Sequence, residues 1–404
     1  MRVSAFLAAA SLSASACLPL ARPAPTPSAT PLTVKIVSSF PLQGPGRSVA
    51  IQLVNAIRMA LDEQGGKAGT TTVLYESFDG ASAAQQGWDG GVEAENARRA
   101  ARDPSVVAYI GTFNSGAAQV SIPITCAANL VMISPANTYS GLTRAAEPGE
   151  PGKYYPGCAR NYARVVAPDD AQGAAGARWA RKLGLRRAFV VHDGGLYGRV
   201  LSEAFRAEAR RVGIEEVGYD AAPRAQEFRA LADRVAASGA DLLYYGGTIE
   251  ANPGFLLRDL RRARPEVSFM APDGVIDPRF TEQAGAAALG AYVTAGLVSP
   301  SNYAGKAKLW AETYAAKHDA APFAYTMYAY EATKAVLAAI AGAGDRAGDR
   351  AVVRDRLMGT RDFAGVIGTW SFDANGDISL ISLAGLRVTD RGGAIAARFE
   401  TLLD

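Results

Sequence analysis

From Leu32 onward, short apolar runs alternate with longer stretches in which apolar residues recur every three or four positions. LTVKIVSS (32–39), TTVLYESF (71–78), VVAYIG (106–111) and LVMISP (130–135) read as strands. After the first of them, Ala50, Leu53, Val54, Ile57 and Leu61 share one stripe of a helix that Gly65-Gly66 stops. Helices are also predicted over 92–102, which Asp103-Pro104 ends, and over 117–127. The strand runs are apolar throughout rather than alternating, as strands covered on both faces are. Their regular exchange with helices predicts an α/β fold with a mainly parallel sheet between helical layers.

The rhythm breaks at 137–161, NTYSGLTRAAEPGEPGKYYPGCARN, a long loop of a kind that is often functional. It then restarts. AFVVHD (188–193), IEEVGYD (214–220), ADLLYYGG (240–247) and VSFMAP (267–272) are strands, separated by helices over 198–212, 226–238 and 253–263. GAYVTAGL (290–297) is expected to return the chain to the first set, ahead of a long helix near 323–343. The expectation is two lobes, the first over 33–160 plus 290–382 and the second over 161–289 plus 383–404. A length of 404 residues agrees, since single cores stop growing well below it.

Charge and composition narrow the function. The net charge is only +3, and the arginines of 206–211 and 258–264 are interleaved with apolar and acidic residues. That pattern is a solvated helix face, so nucleic acid is not an expected partner. The N-terminus reads as an export signal over 1–16: Arg2, an apolar segment from Val3 to Leu12, then small residues. Cleavage after Ala14-Ser15-Ala16 gives a secreted chain. Cleavage before Cys17 gives a lipoprotein, although Ala14 stands where a lipoprotein box usually has Leu. The Pro/Ala/Ser/Thr spacer over 17–32 suits a tether and favours lipidation of Cys17. In an oxidising compartment, Cys126 and Cys158 are expected to pair, closing a loop of about thirty residues for roughly 3 kcal/mol. The alternative is two separately buried thiols.

Catalytic motifs are absent. Ser115 sits in Gly111-x-x-x-Ser115-Gly116, not G-x-S-x-G. His192 ends a strand, His318 lies in a polar helix, and they are the only histidines. There is no H-E-x-x-H, no Walker loop and no G-x-G-x-x-G. FDANGDISL (372–380) resembles a calcium loop but has Ala384 where the last ligand should be, so Asn375-Gly376 reads as a turn. No enzyme activity, metal or cofactor is expected.

Binding is better supported. Ligands of open α/β sheets sit at the carboxyl ends of the strands. In the first lobe those ends lead to Asn114-Ser115-Gly116 at a helix start and to Ser134-Pro135-Ala136-Asn137-Thr138, which suit an anion. In the second they lead to Tyr197, to Thr248-Ile249-Glu250 and to Asp273-Gly274, which suit a cation. A solute with both a carboxylate and an ammonium matches the pair. Trp88 and Tyr328 are read as packing residues, with the loop around Trp88 kept open as a contact.

The order and spacing of FPLQGPG, VVAYIGTFNSGAA, LVMISPANT, VVHDGGLYGR, LLYYGG, FMAPDGV and GTWSFDANGD make the chain, over about 33–390, resemble the leucine/isoleucine/valine-type substrate-binding proteins of bacterial ABC importers. The resemblance implies a type I periplasmic-binding-protein fold, two lobes on a three-strand hinge. It implies that Ser115, with Gly116 permitting close approach, and Ala136 and Thr138 hold an α-carboxylate. Asp273 takes the α-ammonium, and Tyr197 and Thr248 complete the site, Thr248 standing where a tyrosine is usual. It further implies a monomer outside the cytoplasmic membrane that delivers its solute to an ABC permease. A sensory binder of the same fold, taking an amide or an aromatic acid, is the alternative, and an exported hydrolase using Ser115 a more distant one.

Overall fold

A computed structural model describes residues 32–44, 46–296 and 304–403. The expected signal peptide, the Pro-rich tether and Cys17 lie outside them. The first sheet is built from β1 (Thr33–Phe40), β2 (Lys67–Ala68), β3 (Thr71–Asp79), β6 (Val106–Gly111), β7 (Val131–Ser134) and β8 (Tyr162–Arg164), in the order β2-β3-β1-β6-β7-β8. Short β4 (Ala81–Ser82) and β5 (Gly87–Trp88) form a separate ribbon. Helices α1 (Arg47–Asp62), α2 (Gly90–Arg102) and α3 (Ser115–Ala127) connect the strands. All pairings but β2–β3 are parallel, and register brings Ser39 opposite Gly111 and Ile110 opposite Ile133. The carboxyl ends of β1, β6 and β7 therefore open on one edge.

The second lobe contains α4 (Asp169–Lys182), β9 (Arg187–His192), α5 (Leu196–Arg211), β10 (Glu215–Ala221), α6 (Arg229–Ala237), β11 (Leu242–Gly246), α7 (Pro253–Ala263), β12 (Ser268–Pro272), α8 (Pro278–Ala284) and β13 (Tyr292–Ala295). The chain then adds α9 (Gly305–His318), α10 (Thr326–Ala343), α11 (Arg350–Met358), β14 (Phe363–Ala364), β15 (Thr369–Trp370), β16 (Leu383–Arg391) and β17 (Ala394–Leu403). The second sheet runs β10-β9-β11-β12-β13-β16-β17, parallel through β13 and antiparallel beyond.

Two expected boundaries move. Tyr162–Arg164 pairs with Met132–Ser134 in the first sheet, although a start of the second lobe at 161 was expected. Tyr292–Ala295 pairs with Met270–Pro272 and stays in the second sheet, although a return at 290 was expected. Both runs are buried strands, and what assigns each is the neighbour whose backbone groups it satisfies. The return to the first lobe is made by α9, whose Tyr314 hydroxyl donates to Gln52 O at 3.2 Å on α1. It buries only Trp310 and Tyr314, too few to stand out as an amphipathic stripe.

The long loop is ordered by side chains. Cys126, in the last turn of α3, is disulfide-bonded to Cys158, with Cα atoms 5.9 Å apart. Glu150 accepts from the Tyr139 and Tyr154 hydroxyls, the latter at 2.6 Å, and the Tyr155 hydroxyl donates to Leu142 O at 2.7 Å. The DANGD segment is a tight turn: Asp373 Oδ1 accepts from the amides of Asn375 (2.8 Å) and Asp377 (2.9 Å), and Gly376 has φ of +90°. Its last residue, Asp377, accepts from Arg164 Nε at 2.7 Å, both side chains being wholly buried.

The disulfide gives a first test. Replacing both Cys126 and Cys158 by Ala is expected to cost about 3 kcal/mol in urea unfolding. A reductant should then destabilise the native chain but not the variant. The Arg164–Asp377 pair gives a second. Asp377→Ala leaves a buried guanidinium uncompensated and is expected to cost about 3–5 kcal/mol, several times more than any exposed pair; an equilibrium-unfolding loss under 1 kcal/mol would contradict the assignment.

Candidate ligand-binding site

A cavity of about 150 Å³ lies where the carboxyl edges of the two sheets face each other. That is smaller than the ~300–1,000 Å³ of sites for drug-sized molecules, so it suits a small solute. Its wall contains Ser115, Ala136 and Thr138 from the first lobe and Tyr197, Thr248 and Asp273 from the second. Gly116, the remaining expected residue, does not line it. A Cβ there would meet Trp88 ring atoms at 2.8 Å, so this glycine makes room for an indole rather than for a solute. Tyr328 is buried in the core.

On the first lobe, a web of hydrogen bonds fixes the loops after β6 and β7 against each other. Ser134 Oγ donates to Thr112 O at 2.8 Å and accepts from the amides of Ala136 (3.0 Å) and Asn137 (2.8 Å). The Ala136 amide is thus spent inside the loop. Asn137 Nδ2 donates to Phe113 O at 3.0 Å. Arg164 Nη1 donates to the carbonyls of Asn137 (3.3 Å) and Tyr139 (2.8 Å), clasping the chain on either side of Thr138. Ser115 opens α3, and its Oγ accepts from Tyr139 N at 3.3 Å, which leaves the hydroxyl hydrogen to donate elsewhere. The first-turn amides of a helix have no intrahelical acceptor, so this end attracts a carboxylate. Glu93, buried beneath it, accepts from Ser39 and Tyr109 at 2.6 Å and from Ser121 on α3, tying that helix to β1 and β6.

On the second lobe, Asp273 follows β12 and is 6% exposed. Its Oδ1 accepts from Tyr197 OH at 2.9 Å and from Gln172 Nε2 at 3.0 Å, and its Oδ2 from the Tyr325 hydroxyl. Burial, reinforced by the Asp273 charge, holds both phenols well above the usual tyrosine range, so they act as donors. A carboxylate offers about four lone-pair positions, and three are used. Tyr325 belongs to the first lobe, because Phe323 N and Thr326 Oγ1 donate to Gln52 Oε1 of α1 at 2.7 and 3.1 Å. The Tyr325–Asp273 hydrogen bond therefore joins the lobes across the cavity. Thr248 is turned aside: its amide donates to Asp193 Oδ2 at 3.0 Å, with the hydroxyl 3.5 Å from the same oxygen.

Val49, Phe113, Ile249, Ile276, Phe323 and Tyr325 make an apolar wall. All but Ile249, which was named at a strand end, escaped the sequence reading as cavity residues. Phe113 packs edge-on to Tyr325 with ring centroids 5.7 Å apart. Phe113 carried a signal, since it precedes Asn114-Ser115 in a strand-end loop. Phe323 and Tyr325 carried none, because no motif marks the segment before α10. At the rim, Arg279 is paired with Asp277 at 2.9 and 3.0 Å, close to Glu250.

An amino acid binding protein of Pseudomonas aeruginosa is 29% identical over 303 residues, covering 73% of this chain and 75% of its own length. A Leu/Ile/Val-binding protein of Rhizobium johnstonii is 28% identical over 371 residues, covering 91% and 94%. The crystal structure of a leucine-binding protein from Thermotoga maritima superposes with a TM-score of 0.78 at 26% identity, over 92% of this chain and 99% of that one. The sequence profile of the periplasmic binding proteins matches residues 33–382. With that match and two parallel-rich lobes facing across one cavity, the chain belongs to the periplasmic binding protein family, in its type I fold.

Proposed function

We propose that this protein captures an α-amino acid with an apolar side chain, as the extracytoplasmic substrate-binding component of an ABC importer. The observation that carries this reading is the division of labour in one chamber. Ser115 at a helix start and Thr138 in the loop after β7 stand on one side, a buried carboxylate with an unused acceptor position stands on the other, and an apolar wall lies between. The carboxylate of the solute is held by Ser115 and Thr138 and its ammonium by Asp273. Its side chain rests on Val49, Phe113, Ile249, Ile276 and Phe323. The names of the Pseudomonas and Rhizobium relatives support the class of solute.

No bond is made or broken in such a cycle. The solute docks on the first lobe, and the second closes over it with Asp273, Tyr197 and Tyr325 meeting. A solute shifts the balance toward closure only by binding the closed form more tightly. The closed form is the one presented to the permease. Among the described residues no helix is long and apolar enough to cross a membrane. A lipid on Cys17 with the Pro-rich spacer behind it supplies the tether in this reading, and the chain works as a monomer.

Titration calorimetry with L-leucine, L-isoleucine and L-valine tests the assignment. Ser115→Ala removes a hydrogen bond to a charged group and is expected to weaken binding by about 1.5–3 kcal/mol, roughly 10- to 150-fold. Asp273→Ala should weaken it more. The reading fails if these amino acids do not raise the melting temperature while benzoate or urea does, or if Asp273→Ala leaves their affinity intact. Tyr325→Phe, which deletes the hydrogen bond across the cavity, is expected to enlarge the radius of gyration of the empty protein in solution scattering and to leave that of the liganded form unchanged.

A further inference from the structure

Asp169 opens α4 and is completely buried, yet neither of its carboxyl oxygens has a well-formed hydrogen bond. Its backbone N–H donates to Thr138 O at 2.8 Å, which straps it to the back of the loop that lines the cavity. One turn further along the helix, Gln172 Nε2 reaches Asp273 Oδ1 at 3.0 Å. Gln172 Oε1 and Tyr244 OH are also buried and unpartnered. A patch of polar atoms without partners thus lies against Asp273, and a buried polar atom without a partner is costly unless something arrives to satisfy it.

The charged and titratable groups facing Asp169 come from every neighbouring element. They are Tyr139 and the Thr138 hydroxyl from the loop after β7, Arg164 from β8, Asp170 on its own helix, Tyr197 from α5, Tyr244 from β11, Asp273 after β12 and Tyr325 before α10. Arg164 is the one cation of the set, and its guanidinium is already committed to Asp377, Thr143 and two carbonyls. The phenols stay neutral. Two buried acids therefore lie within electrostatic reach of each other with no cation of their own. Burial first, and the Asp273 charge in addition, push the Asp169 carboxyl up to about 8, against the pull of the Thr138 hydroxyl.

We propose that Asp169, which lies behind the cavity wall rather than in it, is the proton-holding acid of this site: it is protonated while the chamber is empty, and it gives that proton to solvent when the ammonium of an amino acid settles on Asp273. The O–H bond of the carboxylic acid breaks, the ammonium keeps its three hydrogens, and one proton leaves for each solute captured. Capture is thereby tuned to solutes that bring a full positive charge, and weakened where the compartment turns acid. The idea rests on the amino-acid reading above.

The test begins with thermal shifts for each of the twenty L-amino acids. The one that stabilises most is then titrated calorimetrically near neutral pH in phosphate and in Tris, whose ionisation heats differ. Release of about one proton per solute is expected. Affinity should rise by up to tenfold per pH unit from about pH 6 and flatten above about pH 8. In Asp169→Asn both the release and the slope should vanish, leaving weaker binding that does not vary with pH. The empty variant serves as a fold control with its own signature. A carboxyl raised in the folded state costs native stability as pH climbs from its ordinary range near 4 toward 8, so the variant should melt above the native protein at pH 8 and match it near pH 4. Amino-acid binding without proton release, or release that persists in Asp169→Asn, overturns the proposal and leaves the amino-acid reading standing. If no amino acid binds, both fall together.

Discussion

The binding edge of the first lobe depends on the burial of one guanidinium. Arg164 has no exposed surface, and its charge must be met where it stands. Asp377, 213 residues later, meets it, and the carbonyls of Asn137 and Tyr139 and the hydroxyl of Thr143 take three more of its donors. Removing such a charge from water is expensive, and the cost is recovered only when the counter-charge and the hydrogen-bond acceptors are held in one geometry. That requirement explains why the chain around Thr138 holds one shape, and why the DANGD turn is where it is. Arg144 Nε adds a second cation to Asp377 at 2.6 Å from the solvent side, and closes the cluster.

With that edge stiff, the two lobes can be read as complementary halves of one electrostatic site. The first offers a helix start and hydroxyl hydrogens and, among the described residues, no acid lining the chamber; the second brings Asp273, Glu250 and Asp277 to the cavity, with Arg279 paired at the rim. A neutral solute gains little from this asymmetry, whereas a zwitterion spans it with each end facing its opposite. The Tyr325–Asp273 bond shows how closure and recognition use the same atoms: the carboxylate that waits for a cation also carries the contact between the lobes. The disulfide and Glu93 act from behind, holding the last turn and the middle of α3 so that Ser115 stays in place.

Most of the strand plan, and most of the cavity's hydroxyl and carboxylate groups, could be read along the chain. Strand ends are local events, marked where an apolar run gives way to small and polar residues. Ser115, Ala136, Thr138, Tyr197 and Asp273 are all residues of that kind, and they do line one cavity. The pairing of Cys126 with Cys158 was legible because they are the only two cysteines beyond Cys17. Gly116 was legible as a position but not in its role, since only packing reveals that the Trp88 ring lies over it.

What the chain pattern could not supply was decided by contacts between distant segments. The lobe to which β8 or β13 belongs depends on which strand completes its hydrogen bonds, and an apolar run of three or four residues satisfies either sheet equally well. Phe323 and Tyr325 reach the cavity because Gln52, some 270 residues earlier, holds the Phe323 amide and the Thr326 hydroxyl on either side of them. Asp169 looks like an ordinary acid in the first turn of a helix; only the fold removes it from water and sets it beside Asp273. Periodicity along a sequence records which residues leave water. Which charges they meet once inside is a property of the assembled interior, where desolvation makes each missing partner costly.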